Sequence, residues 1–296
     1  MEENKMRKIL AIVMVAAMFA ALAVTASAAN TDGLVGFYKF EGNFDNEVEG
    51  GAAGEAVGNK FGAPAGDAAF ADGKFQTVNG TNDGAKFALG LEGDFTVSFY
   101  VSTEASLASP LVWVGGTNQG PENWIGVWWD PGADWNMDDA KITMSSNDPD
   151  NNRITVNPSA ALTNPTDAYI TITVADGVGS IYVNGKLAGA TNTDGAHHAW
   201  AGGEADTETN MPNPWEAEDC AIYFGVNAWD ASANASYDNL AVYSRALSAD
   251  EVSALYAAGG DPTAEGEAQA PQTGFATIAL AVVALGSGAY VVSKKH

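Results

Sequence analysis

Apolar and polar residues alternate along this chain in short stretches set apart by Gly, Asn and Asp, the pattern of half-buried strands joined by tight turns. Such stretches cover 34–40, 95–101, 111–114, 124–129, 141–144, 153–156, 168–174, 180–183 and 220–226. Between 169 and 189 the alternation breaks at Asp176-Gly177 and again at Asn184-Gly185. Both pairs favour the positive φ of two-residue hairpin turns, so three antiparallel strands are expected there. A last extended stretch holds Tyr237, Leu240, Val242 and Tyr243, after which the period changes. Val252, Leu255 and Tyr256 recur at helical spacing behind Ser248 and Glu251, which stand three apart as in a reciprocal N-terminal cap, and Gly259-Gly260 ends the run. The pattern predicts an all-β, two-sheet antiparallel sandwich with one short C-terminal helix from Ser248 to Ala257.

The two ends carry different patterns. Met6-Arg7-Lys8 precedes an apolar run from Ile9 to Val24, and Ala26-Ser27-Ala28 offers the small residues a signal peptidase accepts. Residues 1–28 therefore read as a secretory signal. From Phe275 to Val292 there is no charge, a stretch about long enough to cross a bilayer core of roughly 30 Å as a helix. Lys294 and Lys295 follow and favour a cytoplasmic end, so 275–296 reads as a transmembrane helix with a basic tail. Between these ends there is no repeat and no shift in composition. One domain over 30–258 and a linker over 259–274 are expected.

Charge narrows the function. Five of the 13 basic residues (Lys5, Arg7, Lys8, Lys294 and Lys295) lie in the terminal segments, against only Glu2 and Glu3 of the 37 acidic ones. The part in between thus holds 8 basic and 35 acidic residues, a net charge of about −27. That balance argues against nucleic acid as a partner, because phosphates would be repelled. Cys220 is the only cysteine, so no intrachain disulfide can form; it reads as a small hydrophobe in a strand.

The stretch from Ser236 to Tyr256 resembles the closing segment of laminin-G-like, concanavalin A-like jelly-roll domains. The opening run Gly36 to Asp45, the strand Gly93 to Val101 and the Asn184-Gly185-Lys186 turn also resemble that family, which is thereby matched in scattered motifs over about residues 34–257. The resemblance implies a jelly-roll lectin-like or adhesive surface module. It also implies a structural calcium ion tying first strand to last, with Glu41, Asn43 and Asp45 after the first strand and Asp238 in the last as candidate ligands, of which Glu41, Asn43 and Asp238 form the expected set. These residues read equally as turn formers. Ala270-Pro271-Gln272-Thr273-Gly274 resembles the sortase sorting signal of Gram-positive bacteria, with Ala270 where leucine is usual. That resemblance implies cleavage between Thr273 and Gly274 and attachment to the cell wall; as a plain tail, the same segment anchors the chain in the membrane. Either way the protein is held at the cell surface.

The available chemistry is oxygen and tryptophan. A hydrolase on such a fold needs two carboxylates facing one groove, and no strand-like stretch offers them; Glu216-Ala217-Glu218-Asp219 follows two prolines and reads as a loop. His197 and His198 are adjacent and in a strand would face opposite ways. No catalytic residue is assigned. Tryptophan planes, by contrast, pack against the C-H faces of sugars while Asn and Asp meet their hydroxyls. Trp124, Trp128, Trp129 and Trp135 lie among Gly and Asp, and Trp215 among Asn, Pro and Glu. These five are the candidate carbohydrate-binding residues. Trp128 and Trp129 must face opposite sides of a strand, so at most one of them joins the core. Trp113 and Trp229 are assigned to the core, Trp135 and Trp215 to the surface. The expected function is non-catalytic binding of a polysaccharide or glycan at the cell surface of a Gram-positive bacterium. The alternative is an adhesin or structural wall protein that binds host or cell-surface proteins through the same tryptophans, and a glycan-active enzyme ranks third.

Overall fold

The computed structural model describes residues 30–78, 84–103, 109–117, 123–130, 141–147, 153–156, 165–191, 211–232 and 234–264, and residues 30–264 form one compact unit. The expected signal sequence, the sorting-like motif, the apolar tail, Trp135, Trp200, His197 and His198 lie outside the described residues. Among the described residues no helix is long and apolar enough to cross a membrane.

Two antiparallel sheets face one another. The first contains β1 (Leu34–Tyr38), β3 (Ala69–Ala71), β4 (Lys74–Thr77), β6 (Phe95–Thr103), β11 (Ala168–Ala175), β12 (Val178–Val183), β13 (Lys186–Ala190) and β15 (Ala235–Tyr243). Its order is β13-β12-β11-β6-β15-β4-β3, with β1 also paired to β15. The second contains β2 (Glu55–Val57), β5 (Gly84–Phe87), β7 (Ser109–Gly115), β8 (Trp124–Asp130), β9 (Lys141–Asn147), β10 (Arg153–Val156) and β14 (Ala221–Phe224), in the order β10-β9-β8-β7-β14-β5-β2.

Alternation decides what lies between them. Phe95, Val97, Phe99 and Val101 of β6 point inward with Ile170 and Ile172 of β11, and meet Val112, Val114, Ile125, Val127, Trp129, Ile222 and Phe224 from the other sheet. Each such side chain contributes about 1.5–3 kcal/mol relative to exposure. Both expected hairpin turns form: Asp176 and Gly177 have φ of 48° and 78°, and Asn184 and Gly185 have φ of 51° and 74°.

In β15 the pairing to β6 shifts between Asp238 and Ala241, and Asn239 takes a φ of 50°. This bulge resets the alternation, which is why Tyr237 and Leu240, three apart, both reach the core. The expected helix is present as α1 (Ala249–Ala257). Ser248 Oγ accepts from the Glu251 amide at 3.3 Å, and a Glu251 oxygen accepts from the Ser248 amide at 2.8 Å. Val252 and Leu255 then lie with Leu247 on Phe37, Tyr169, Tyr182 and Tyr243, closing the outer face of the eight-stranded sheet.

Two expectations need correction. The first strand ends at Tyr38, because Phe40 turns with a φ of 58° to bury its ring among Phe44, Phe75, Phe87 and Phe224. Cys220 precedes β14 and is half-buried; burial first, and then the nearby Asp219 charge, push its thiol pKa up.

Candidate functional site

No α-helix lies on the outer face of the seven-stranded sheet among the described residues, yet that face is aromatic. Trp113 of β7, Trp124 and Trp128 of β8 and Tyr223 of β14 all point away from the core and form a separate cluster with Val57, Ala221 and Val226. Strand register sets Tyr223 beside Trp113 and Trp113 beside Gly126. Trp124, Gly126 and Trp128 share one face at period two, and the missing side chain at Gly126 leaves the space that the Trp128 ring fills.

The rings are ordered. Trp113 and Trp124 stack at 4.6 Å with 18° between planes, and Trp128 stands edge-on to both, at 6.5 and 5.8 Å. Trp229, on the loop after β14, meets Trp113 and Trp124 edge-on at 5.3 and 5.5 Å and keeps 42% of its surface exposed. On the other side Phe61, half-buried, touches Trp113 and Tyr223 at 5.9 and 4.6 Å.

The loop bearing Trp229 is held by polar contacts. Asn227 Oδ1 accepts from the amides of Trp229 and Asp230 at 2.8 and 2.7 Å, and Asn227 Nδ2 donates to Asp230 at 2.7 Å. The same carboxylate oxygen accepts from Trp128 Nε1 at 3.3 Å, which ties the loop to the strand beneath. Trp113 Nε1 donates to the Gly116 carbonyl at 3.1 Å. Trp124 Nε1 is buried without a hydrogen-bond partner among the described residues. At the far edge of the face Lys86 pairs with Glu55 at 2.9 Å.

The sequence candidates divide. Trp124 and Trp128 belong to this face, while Trp129 points the other way and is fully buried between the sheets. Trp135 lies outside the described residues. Trp215 packs on Phe95 at 5.1 Å and borders the inter-sheet core, contrary to its expected exposure. Trp229 and Trp113, assigned from sequence to the inter-sheet core, lie outside it. Glu216 accepts from Asn123 at 3.0 Å, and Asp219 accepts from the Thr117 amide at 3.1 Å and from its hydroxyl, so these carboxylates clip the β7–β8 connection.

The metal candidates also separate. Asp238 stands opposite Tyr100 on the outer face of the other sheet. Burial first of all, with further contributions from the Glu41 and Asp167 charges, pushes its carboxyl pKa up to about 6 against the opposing effect of the Asn239 amide and Lys74. Glu41 is therefore a neighbour of Asp238, whereas Asn43 spends its Oδ1 on the Asp45 amide at 3.0 Å as a turn former. Asp167 is taken by Lys74 at 2.7 Å. Among the described residues no group of three His, Cys, Asp or Glu side chains is arranged to hold a metal ion.

No family model matches the sequence, and no curated protein does. Among solved structures the chain is similar to domain 4 of AbnA, a GH43 extracellular arabinanase from Geobacillus stearothermophilus solved in complex with arabinotriose, with a TM-score of 0.56, 19% identity, and coverage of 75% of this chain and 98% of that one. It is similar to the binding domain of Paraclostridial Mosquitocidal Protein 1 with a TM-score of 0.50 and 16% identity, covering 76% of this chain and 52% of that one. A Trypanosoma rangeli sialidase mutant displaying trans-sialidase activity matches with a TM-score of 0.50 and 17% identity over 80% of this chain, but over only 35% of its own length. At such identities the likeness establishes the two-sheet sandwich.

Proposed function

We propose that this chain is a non-catalytic carbohydrate-binding module, exported and held at the cell surface, which binds glycan on the aromatic outer face of its seven-stranded sheet. The observation that carries the reading is Trp229: a large indole, 42% exposed, held edge-on against Trp113 and Trp124 by a loop that Asn227 and Asp230 fix in place. A rigid aromatic plane that is half open loses little conformational freedom when a sugar stacks on it. Beside it, Asp230 supplies carboxylate oxygen for sugar hydroxyls. The arabinanase domain solved with arabinotriose supports the reading at the level of fold.

Calcium enters as a structural ion at the opposite sheet. Glu41 and Asp238 are the side chains that would hold it, with backbone carbonyls filling the remaining positions, as suits a hard cation. A cation there would offset the charge that burial makes costly at Asp238. The segment from Pro271 onward supplies the anchor, by transfer to the wall or by staying in the membrane.

A glycan array probed with the soluble domain, residues 30–264, tests the function. Binding of at least one oligosaccharide with loss in Trp229→Ala is expected; no binding to any glycan, or cleavage of a bound one, contradicts it.

A further inference from the structure

The tight turn Asn59–Phe61 is held in a conformation its sequence disfavours. Lys60 and Phe61 take φ of 52° and 61° in succession, the left-handed region that side chains other than glycine rarely occupy. Gly58 and Gly62 flank them and close the turn through Gly58 N to Gly62 O at 2.8 Å and Gly62 N to Asn59 O at 3.0 Å. At its foot Asn59 Oδ1 is buried without a hydrogen-bond partner. Two glycines stand beside the strained positions and not at them, so the turn keeps an avoidable cost. Strain of this kind collects where it serves a site.

What the turn achieves is the placement of Phe61. Its ring rests on Trp113 and Tyr223 and remains half-buried, so part of it faces outward beside the aromatic face. Phe61 and Trp229 thus both rest on Trp113, from separate loops, and among the described rings of the cluster these two keep substantial exposure.

Building on the glycan reading above, we infer that Phe61 is a second sugar-contacting platform, presented by the strained turn, and that the face takes a stretch of at least two linked sugar rings, one on Phe61 and one on Trp229. On this inference a single sugar occupies one platform and a linked pair occupies both. Linking the two contacts makes the second effectively intramolecular, so affinity rises steeply with chain length. Lys60 serves as a positioning residue: its left-handed backbone turns Phe61 toward Trp113, and its own side chain is exposed.

The test uses arabinotriose, xylotriose, cellotriose and chitotriose, each beside its monosaccharide, titrated into the soluble domain alongside thermal unfolding. Wild type is expected to bind at least one trisaccharide about tenfold or more tightly than the matching monosaccharide. Phe61→Ala, with Phe61→Leu as the variant that retains apolar volume, is expected to weaken the trisaccharide about tenfold and leave the monosaccharide unchanged. Lys60→Gly relieves the backbone, so Tm is expected to rise by a few degrees while trisaccharide affinity falls; a merely structural turn would show the rise in Tm with trisaccharide affinity unaltered. Trisaccharide affinity unchanged in Phe61→Ala, or equal affinities of wild type for trisaccharide and monosaccharide, overturns the inference and leaves Trp229 as the single platform. Absence of binding by wild type to all of these sugars and to the wider array overturns the glycan reading together with it.

Discussion

Gly126 lies beneath the indole of Trp128: a Cβ at Gly126 would overlap that ring. The whole outer face depends on this fit, because Trp128 in turn donates to Asp230 and stands edge-on to Trp124. Gly126→Ala is expected to push Trp128 off its seat at a cost of about 1–3 kcal/mol, as overpacking does elsewhere. In a domain of this size that lowers Tm by roughly 2–10 °C. Thermal unfolding checks the cost, and glycan titration checks the accompanying loss of affinity; an unchanged Tm and affinity would contradict the packing described.

Glu251 closes the N-terminal cap of α1 and pairs with Arg245 at 2.7 Å, and together the Arg245 hydrogen bonds and the Ser248 contacts hold its carboxyl at about 2. A depressed carboxylate pKa stabilises the fold above the unfolded value, and the contribution is lost as pH falls through the folded value. Glu251→Gln is therefore expected to lower stability by about 1 kcal/mol at pH 7, after allowing for the partial exposure of the pair. The deficit should shrink between about pH 4.5 and 2. Urea titrations at pH 7 and pH 3 measure it.

Asp238 has the opposite sign. Its folded pKa, about 6, is above the ordinary carboxyl value, so the folded state holds the proton more tightly. The stabilisation this gives is present at low pH and is lost as pH rises through about 6. Without calcium, Asp238→Asn is expected to raise stability at pH 7.5 by about 1 kcal/mol, discounted for the exposed half of the group, and to make no difference at about pH 3, below the unfolded value. Calcium should raise the Tm of wild type at pH 7.5 and leave Asp238→Asn unaffected. Equal responses of the two proteins to calcium would remove the ion from this position.

Surface attachment has its own test. A chain ending at Gln269 lacks the sorting-like motif, the apolar stretch and Lys294-Lys295. It should appear in the culture medium, while the full chain fractionates with cells. Retention of the truncated chain on cells would contradict anchoring through the tail.

Most of the sandwich was legible because its long strands alternate and its hairpins carry Asp-Gly and Asn-Gly. Strands β2 to β5 were not legible. They are three or four residues long, too short for alternation to rise above its surroundings. The site was half legible. Period two already sets Trp128 against Trp129, and the same rule places Trp113 opposite Val112 and Val114, which the apolar context of β7 obscured. Trp229 was misassigned because its exposure follows from Asn227, whose side chain folds the loop back over the sheet. Trp215 sits among polar residues in sequence, yet its indole turns inward onto Phe95. The turn that presents Phe61 carried no sequence signal, since left-handed Lys and Phe are what local preference opposes.

On this reading Trp229, and not Trp215, meets the glycan. Calorimetric titration of the tightest-binding array oligosaccharide into wild type, Trp229→Ala and Trp215→Ala separates the two. Trp229→Ala is expected to lose about 1–2 kcal/mol of binding, roughly ten- to thirtyfold, with little change in Tm because the ring is half open. Trp215→Ala should lower Tm and keep its affinity. Unchanged affinity in Trp229→Ala, with loss in Trp215→Ala at unaltered stability, would place the glycan at Trp215 instead.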